Sequence, residues 1–248
     1  MRVVVVGASS GLGRCIGTGL AQRGAQVALL ARRRERLVDA AKDAGPGTLA
    51  IQCDVTDAAS CHAAVTEAAT SLGGIDGIVY APGIGPLVRL VDMDAEQWHS
   101  VLATNVIGAS LFTAAALPHL KASGGTAAYL TSVSASETAP WPGLGAYAVS
   151  KAALDKLIEA WRGEHSDVGF TRLIVGDCAG GEGDAVVEFS SGWDPELANE
   201  MLTIWIERRY IAGNLLPVER LVDAVELVLR AGAVDAIPSI TVAPRPAM

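Results

Sequence analysis

The chain alternates between short apolar runs and longer segments in which apolar residues recur at helical spacing. The short runs are rich in β-branched residues, which is typical of buried parallel strands. They predict strands at Val3–Val6, Gln26–Leu30, Thr48–Cys53, Ile75–Tyr80, Thr126–Thr131, Phe170–Val175 and Ser239–Val242.

The longer segments predict helices between these strands. The first helix opens at a glycine turn and runs to about Arg23, and Asp57 is well placed to cap the third. Further helices are predicted over 33–44, 57–72, 94–104, 105–121, 147–161 and 218–229, whereas 180–216 is expected to be irregular. Repeated βα units build a parallel sheet with right-handed crossovers. The pattern therefore predicts one α/β domain over residues 1–248, a Rossmann-type doubly wound parallel sheet with helices on both faces.

Composition narrows the classes of function. Half of the residues (50%) are hydrophobic and the net charge is −8, which argues against nucleic acid as a main partner. The cysteines show no C-x-x-C pair and the histidines no ligand spacing, so neither a disulfide framework nor a metal site is predicted. No apolar run approaches the ~18 residues of a membrane span. We therefore expect a cytoplasmic protein without a membrane partner.

A glycine-rich turn follows the first predicted strand directly. Its sequence is Gly-Ala-Ser-Ser-Gly-Leu-Gly. Glycines permit a tight turn and let backbone N–H groups approach a pyrophosphate, and the helix N-terminus adds partial positive charge. No Gly-Lys-Ser/Thr follows, which excludes a Walker loop. We expect a dinucleotide to bind at Gly7, Ser9, Ser10, Gly11, Leu12 and Gly13.

The end of the second predicted strand bears on the choice of cofactor. An acidic residue here would bind the ribose 2′-hydroxyl of NAD, whereas an arginine suits the 2′-phosphate of NADP. Ala31 leaves the acidic position empty, and Arg32 follows it. A run of three arginines also opposes the macrodipole of the helix it begins, and a phosphate would relieve that conflict. The sequence predicts NADP in preference to NAD.

Tyr147 and Lys151 lie four residues apart in a predicted helix, so they share one face. The ammonium of Lys151 can lower the pKa of the phenol from its usual value of about 10, which would suit a general acid or base. The motif Y-x-x-x-K is common by chance. Together with the glycine turn, however, it resembles the short-chain dehydrogenase/reductase family, and the resemblance runs over almost the whole chain.

The resemblance implies a reaction and a set of catalytic residues. Tyr147 would give a proton to a carbonyl oxygen as hydride arrives from the nicotinamide, or remove one from an alcohol. Lys151 would hold the pKa of Tyr147 down and contact the nicotinamide ribose. Asn105 matches the asparagine that bends its helix and holds a water leading to Lys151. A serine at the end of strand five would hydrogen-bond the substrate oxygen.

Two counts give different positions for that serine. Counting forward along strand five gives Ser132, whereas counting back thirteen residues from Tyr147 gives Ser134. A strand fixes its residues by backbone pairing, while a loop tolerates insertions at small cost. Two extra residues in the loop 136–142 reconcile the counts, so we choose Ser132; Ser134 could still touch substrate.

The resemblance also implies further cofactor contacts. Asp54 and Val55 match the pair that contacts the adenine, although Asp54 is equally well explained as a turn residue. The family's Asn-Asn-Ala-Gly after strand four becomes Tyr-Ala-Pro-Gly over 80–83, and we expect Ala81 and Gly83 to line the cofactor.

The nicotinamide side departs further from the family. The family's Pro-Gly turn after strand six is replaced by Asp-Cys-Ala-Gly-Gly over 177–181, and the threonine that commonly follows is absent. Residues 182–216 would form a substrate lid (the lid segment). Its aromatic residues suggest an apolar or ring-bearing substrate: Trp193, Trp205 and Tyr210.

The sequence thus predicts an NADP-dependent oxidoreductase acting on a small-molecule carbonyl/alcohol pair. The alternative is a non-catalytic NADP-binding sensor or regulatory protein on the same fold, which the altered turn favours. A sugar epimerase is disfavoured because little chain follows strand six. Family members commonly pair the helices predicted here at 105–121 and 147–161, so we expect a homodimer or homotetramer.

Overall fold

The computed structural model describes residues 1–180, 188–211, 213–232, 235 and 237–245. A seven-stranded parallel sheet in the order β3-β2-β1-β4-β5-β6-β7 forms its centre. The strands span Arg2–Val6 (β1), Gln26–Ala31 (β2), Leu49–Gln52 (β3), Gly77–Tyr80 (β4), Thr126–Ser132 (β5), Gly169–Val175 (β6) and Ser239–Val242 (β7). The strand order reverses next to β1, the point at which doubly wound sheets bind their ligands. The predicted Rossmann-type fold is confirmed.

Helices cover both faces of this sheet. They span Gly11–Gln22 (α1), Arg34–Ala44 (α2), Ala58–Leu72 (α3), Ala95–Leu102 (α4), Gly108–Ser123 (α5), Val133–Ser136 (α6), Gly145–Glu164 (α7), Pro195–Glu207 (α8) and Val218–Ala231 (α9). The alternation of side chains along β1 divides the core: Val3 and Val5 pack with α1, α2 and α9. Val4 and Val6 pack with α3, α5 and α7. Both faces of the strand are buried, which explains its unbroken run of valines.

The expectation that 180–216 is irregular is wrong for α8. Asp194 caps this helix, since its side chain accepts a hydrogen bond from the backbone N–H of Leu197 at 2.8 Å. Pro195 occupies the first helical position, where its fixed φ is favourable and no N–H is needed. The Asp-Pro-Glu sequence was therefore a helix start signal. Residues 181–187 and 212 of the predicted turn and lid lie outside the described residues.

The predicted boundary between helices at residues 104 and 105 is also wrong. Instead, a π-helical segment, Ala103–Ile107, joins α4 to α5. The wider turn frees the Thr104 carbonyl, which accepts a hydrogen bond from the buried Tyr80 hydroxyl at 2.6 Å. This segment carries Asn105 into the fold, where its side chain is fully buried.

The helical stretch Ala95–Ser123 corrects a further expectation. It runs for 29 residues and is long and apolar enough, by length and composition alone, to cross a membrane. The prediction that no apolar run approaches the length of a membrane span is therefore wrong. Phe112, Ala116 and Leu120 of the stretch are fully buried in the core beside α3. One face of the helix thus belongs to the core, where such a composition is also typical.

Candidate active site

A cavity of about 540 Å³ lies at the C-terminal ends of the parallel strands. Every predicted cofactor-binding residue lines it, from the glycine turn to Gly83. Among the predicted catalytic residues, Ser132, Tyr147 and Lys151 line it as well. Asn105 lies behind its wall, next to Thr104, which does line it. The structure therefore brings the two motifs, more than a hundred residues apart in sequence, to one cavity.

The glycine turn owes its shape to backbone packing. Gly7 has a φ of 82°, and a Cβ built there would lie 2.7 Å from the Pro82 nitrogen. A Cβ at Gly13 would overlap the Gly7 carbonyl. Ser10 is the N-cap of α1 but makes no capping hydrogen bond with its side chain. The N-terminus of α1 is therefore suited to bind an external anion such as a pyrophosphate.

Arg33 lies over this turn, and sequence reasoning missed it. Its guanidinium donates to the Ser10 hydroxyl at 2.6 Å and to the Ser9 hydroxyl at 3.1 Å. Arg32 also lines the cavity. The pKa of Asp54 is lowered mainly by hydrogen bonds from Thr56, and the positive charge of Arg32 adds a smaller effect in the same direction. The signal for Arg33 was present in the arginine run, but only the fold shows that it reaches back to the turn.

Asp54 is engaged in a local turn. Its Oδ1 accepts hydrogen bonds from the backbone N–H and the hydroxyl of Thr56, at 2.9 and 2.8 Å. These bonds lower the pKa of the carboxyl and keep it ionised, and the bond from the backbone N–H of Thr56 has the largest effect. Asp54 and Val55 nevertheless line the cavity. The turn role and the adenine contact are therefore compatible, because a carboxylate has two oxygens.

Asn105 connects two parts of the site. Its amide donates to the Ile84 carbonyl and to the Ser150 hydroxyl, at 2.9 and 2.8 Å, and its oxygen accepts from the Ile84 N–H at 2.9 Å. Asn105 therefore fixes the loop after β4 against α7, and its contact on α7 is Ser150, the residue before Lys151. None of these bonds goes to Lys151. The ammonium of Lys151 is a donor only and cannot accept from the Asn105 amide.

Lys151 is buried beneath the cavity. Its ammonium donates to the Leu130 carbonyl at 2.8 Å and lies 5.7 Å from the centre of the Tyr147 ring. A side chain at Gly83 would crowd it, since a Cβ there would come within 3.2 Å of the ammonium. Burial lowers the pKa of Lys151 to about 8, and the negative charge of Asp155 opposes that change.

The pKa of Tyr147 contradicts the expectation from sequence. Burial raises it to about 12, and a hydrogen bond with Ser132 acts in the opposite direction. The predicted lowering by Lys151 is therefore not what the structure shows. The physical reason is that desolvation of the phenolate outweighs the neighbouring ammonium, which is directed at the Leu130 carbonyl.

Ser132 and Ser134 both reach the cavity. Ser132 is the last residue of β5, as expected, and its hydroxyl accepts from the backbone N–H of Ser134 at 3.2 Å. The two hydroxyls are 2.9 Å apart. The bond between Ser132 and Tyr147 favours Ser132 as the serine that shares an oxygen with the tyrosine, and this choice stays a prediction.

The altered turn after β6 is held in place by backbone bonds. The Leu216 N–H donates to the Asp177 carbonyl at 2.8 Å, and the Ala179 N–H donates to the Leu216 carbonyl at 3.0 Å. A side chain at Gly180 would overlap Leu12 of the glycine turn. Gly180 therefore lets this segment lie close to the glycine turn, although the family's Pro-Gly sequence is missing.

Aromatic residues enclose the other end of the cavity. Trp193 and Trp205 of the lid segment line it, as expected, and Tyr210 packs behind them on Trp141. Sequence reasoning missed Phe189, whose ring lies 4.8 Å from that of Tyr147. It also missed Trp141, because that residue precedes the lid segment in sequence.

Comparison with known proteins agrees with this geometry. The family model described as short chain dehydrogenase matches residues 1–178. The curated 11-beta-hydroxysteroid dehydrogenase 1A of Arabidopsis thaliana is 34% identical over 200 residues, which cover 75% of this chain and 57% of that protein. The chain thus spans somewhat more than half the length of such relatives.

Solved structures show the same fold. An alcohol dehydrogenase from Thermococcus sibiricus, complexed with 5-hydroxy-NADP, superposes with a TM-score of 0.79 at 25% identity, covering 97% of this chain and 94% of that one. A 3-ketoacyl-(acyl-carrier-protein) reductase from Brucella melitensis, complexed with NADH, gives a TM-score of 0.81 at 21% identity, covering 97% and 96%. Since the family model covers well over half of the sequence, the chain belongs to the short-chain dehydrogenase/reductase family of oxidoreductases.

Proposed function

We propose that the protein is an NADP-dependent oxidoreductase that transfers hydride between nicotinamide and a carbonyl/alcohol substrate, with Tyr147 as the acid/base. The observation that carries this proposal is that Ser132 and Tyr147, which share a hydrogen bond, line the same cavity as the glycine turn. The dehydrogenase names of the relatives support the same class of reaction.

The residues on the cofactor side fit a dinucleotide with a 2′-phosphate. The close backbone packing at Gly7 leaves the N-terminus of α1 facing the cavity. Arg32 and Arg33 supply two guanidinium groups beside the turn. The solved relative that is complexed with 5-hydroxy-NADP supports this choice. When bound, the cofactor supplies a hydride from its reduced nicotinamide ring.

The residues of this chain supply the proton and hold the substrate. During reduction the C=O π bond breaks, its carbon gains the hydride and its oxygen gains the proton of Tyr147, which solvent then replaces. Ser132 donates a hydrogen bond to the same oxygen. A pKa of about 12 keeps the proton on Tyr147 at neutral pH, so the proton that reduction of a carbonyl requires is in place. Lys151 keeps its positive charge below about pH 8 and stabilises the phenolate that remains.

The test is consumption of NADPH with a panel of ketones and aldehydes, together with binding of NADPH by calorimetry. We expect turnover by the wild-type protein and a loss of about 10²–10⁴-fold in Tyr147→Phe, with the Kd of NADPH unchanged. The matched control is Tyr129→Phe, which removes a buried hydroxyl bonded to Thr113, outside the cavity. Tight NADPH binding without any turnover would instead favour the sensor.

We also propose that the protein forms a homodimer or homotetramer. Ile107, at the start of the α5 region, is 54% exposed, and Val149 on α7 is 50% exposed. Pairing of these helices between two copies would bury both side chains and a further part of the apolar stretch Ala95–Ser123. Light scattering at micromolar concentration tests this, and a monomeric mass would contradict it.

A further inference from the structure

The aromatic end of the cavity forms a continuous surface. We call Trp141, Phe189, Trp193 and Trp205 the aromatic wall, and all four line the cavity. The ring centres are 5.5 Å apart for Phe189 and Trp193, 5.9 Å for Trp193 and Trp205, and 5.3 Å for Trp141 and Trp205. Because Phe189 also packs on Tyr147 at 4.8 Å, the wall begins at the proton donor itself.

The polar atoms of this wall are already used within the protein. The indole N–H of Trp193 donates to the Gly85 carbonyl, and that of Trp205 to the Pro142 carbonyl, both at 2.9 Å. The indole of Trp141 donates to the Thr138 hydroxyl at 3.3 Å. An indole has a single hydrogen to donate. The wall therefore presents ring faces and edges, but no free donor, to a substrate.

The charged groups of the cavity lie elsewhere. Among the described residues that line it, they are Arg32, Arg33, Asp54, Lys151 and Asp177. The first three are on the cofactor side, and the ammonium of Lys151 is directed at the Leu130 carbonyl. Asp177 is acidic and offers no positive charge to an anion. A carboxylate or phosphate on the substrate would thus be buried against the wall without a counter-charge, which is strongly unfavourable.

We infer that the substrate is an uncharged ketone, or the matching secondary alcohol, whose carbonyl group is attached to a hydrophobic ring. This inference rests on the proposed oxidoreductase function. The carbonyl oxygen is held by Ser132 and Tyr147, and the ring packs against Phe189 and Trp193. Aromatic side chains favour such a partner because edge-to-face and offset-stacked contacts add to the burial of apolar area.

The first experiment compares three probe ketones with the full chain and NADPH. Acetophenone carries a ring, 4-acetylbenzoate adds a carboxylate to that ring, and hexan-2-one has no ring. We expect kcat/KM for acetophenone to exceed that for 4-acetylbenzoate by about tenfold or more. Equal or better use of 4-acetylbenzoate would overturn the inference while leaving the oxidoreductase proposal intact.

Variants of the aromatic wall test whether the wall causes the preference for a ketone with a ring. Phe189→Ala and Trp193→Leu are expected to raise KM for acetophenone by about tenfold, with less than about twofold change for hexan-2-one and for the Kd of NADPH. Trp98→Leu is the matched control, since Trp98 on α4 does not line the cavity. An equal loss for both ketones, or a loss in the control, would overturn the role of the wall.

A binding measurement separates the two proposals. Quenching of tryptophan fluorescence reports whether acetophenone and 4-acetylbenzoate bind to the protein saturated with NADP⁺, independently of turnover. Preferential binding of acetophenone that is lost in Phe189→Ala would support the aromatic wall as the binding site of the substrate ring. If no ketone were then reduced, only the oxidoreductase proposal would be refuted. Equal binding of both probes, or no binding of either probe, would refute the aromatic wall as the binding site of the substrate ring.

Discussion

The two ends of the cavity are built in different ways. On the cofactor side, backbone lies against backbone, as where Gly7 packs under Pro82 and Gly13 lies on the Gly7 carbonyl. On the lid side, side-chain rings pack on one another, and α8 with Trp205 covers Leu144. The match to the family model ends at residue 178, close to the point where the lid side begins.

This difference separates two kinds of specificity. Backbone contacts do not depend on which side chains surround them, provided that the glycines are kept. The cofactor side is therefore defined by a few small residues. Ring contacts depend on the particular side chains, and substituting one of them changes the shape of the pocket. The cofactor side therefore suits a ligand shared across a family, whereas the lid side suits one particular class of substrate.

Of the variants that follow, the largest effect is expected where the two sides meet, at Ser132. Ser132→Ala should lower turnover about a hundredfold, because one hydrogen-bond donor to the substrate oxygen is lost. Ser134→Ala should lower it by less than about tenfold. The measurement is kcat with saturating NADPH, alongside the Kd of NADPH for each variant. A hundredfold loss in Ser134→Ala alone would show that the count back from Tyr147 is the correct one.

Lys151 gives a prediction for stability. Its pKa is lowered to about 8 in the folded protein, so the folded state binds fewer protons than the unfolded state between about pH 8 and 10.5, and its contribution to stability rises with pH in that window. Below pH 8 the buried charge costs about 3 kcal/mol.

Lys151→Met should therefore raise the melting temperature of the cofactor-free protein at pH 6, and the gain should shrink as the pH rises towards 10. Thermal unfolding followed by circular dichroism measures this difference. A gain that does not change with pH would contradict the burial of a charged Lys151.

The choice of cofactor tests the backbone-built side. Arg32→Ala and Arg33→Ala should each weaken binding of NADPH by about 1.5–3 kcal/mol, because each removes a charge-assisted contact to the 2′-phosphate. The Kd of NADH should stay nearly the same. KM for the ketone should also stay the same, since both arginines are on the cofactor side. Equal Kd values for NADPH and NADH in the wild-type protein would contradict the NADP assignment.

The smallest effect concerns the lid side. Asp194→Ala removes the cap of α8 and should cost about 1 kcal/mol of local stability. We expect faster hydrogen exchange in α8 and a higher KM for the ketone, with the Kd of NADPH unchanged. Asp94→Ala, which removes the same kind of cap from α4, is the matched control. If both variants raise KM equally, α8 has no special part in binding substrate.

Much of the cofactor side could be predicted from sequence because its signals are local. A run of valines and a spacing of three glycines are sufficient to place a strand, a turn and a helix. The arginine run likewise predicted a phosphate site, which stays a prediction, and the reach of Arg33 back to Ser9 and Ser10 depends on how α2 packs beside α1. Such a contact between separate elements leaves no trace in a local pattern.

The electrostatics and the lid could be predicted less well. The spacing of Tyr147 and Lys151 indicated their shared face, but not that Lys151 turns towards the Leu130 carbonyl and that burial raises the pKa of Tyr147 to about 12. Phe189 was missed because its role depends on the path of the chain over Gly85. The start of α8 was readable from Asp194 and Pro195.

The most direct test of the central claim is to follow the hydride itself. NADPH that carries deuterium at the transferred position of the nicotinamide is supplied with the best ketone of the panel, and the alcohol is analysed by mass spectrometry. We predict one deuterium on the former carbonyl carbon, formed about 10²–10⁴-fold more slowly by Tyr147→Phe. Absence of labelled alcohol for every ketone, or an unchanged rate in Tyr147→Phe, would contradict the account.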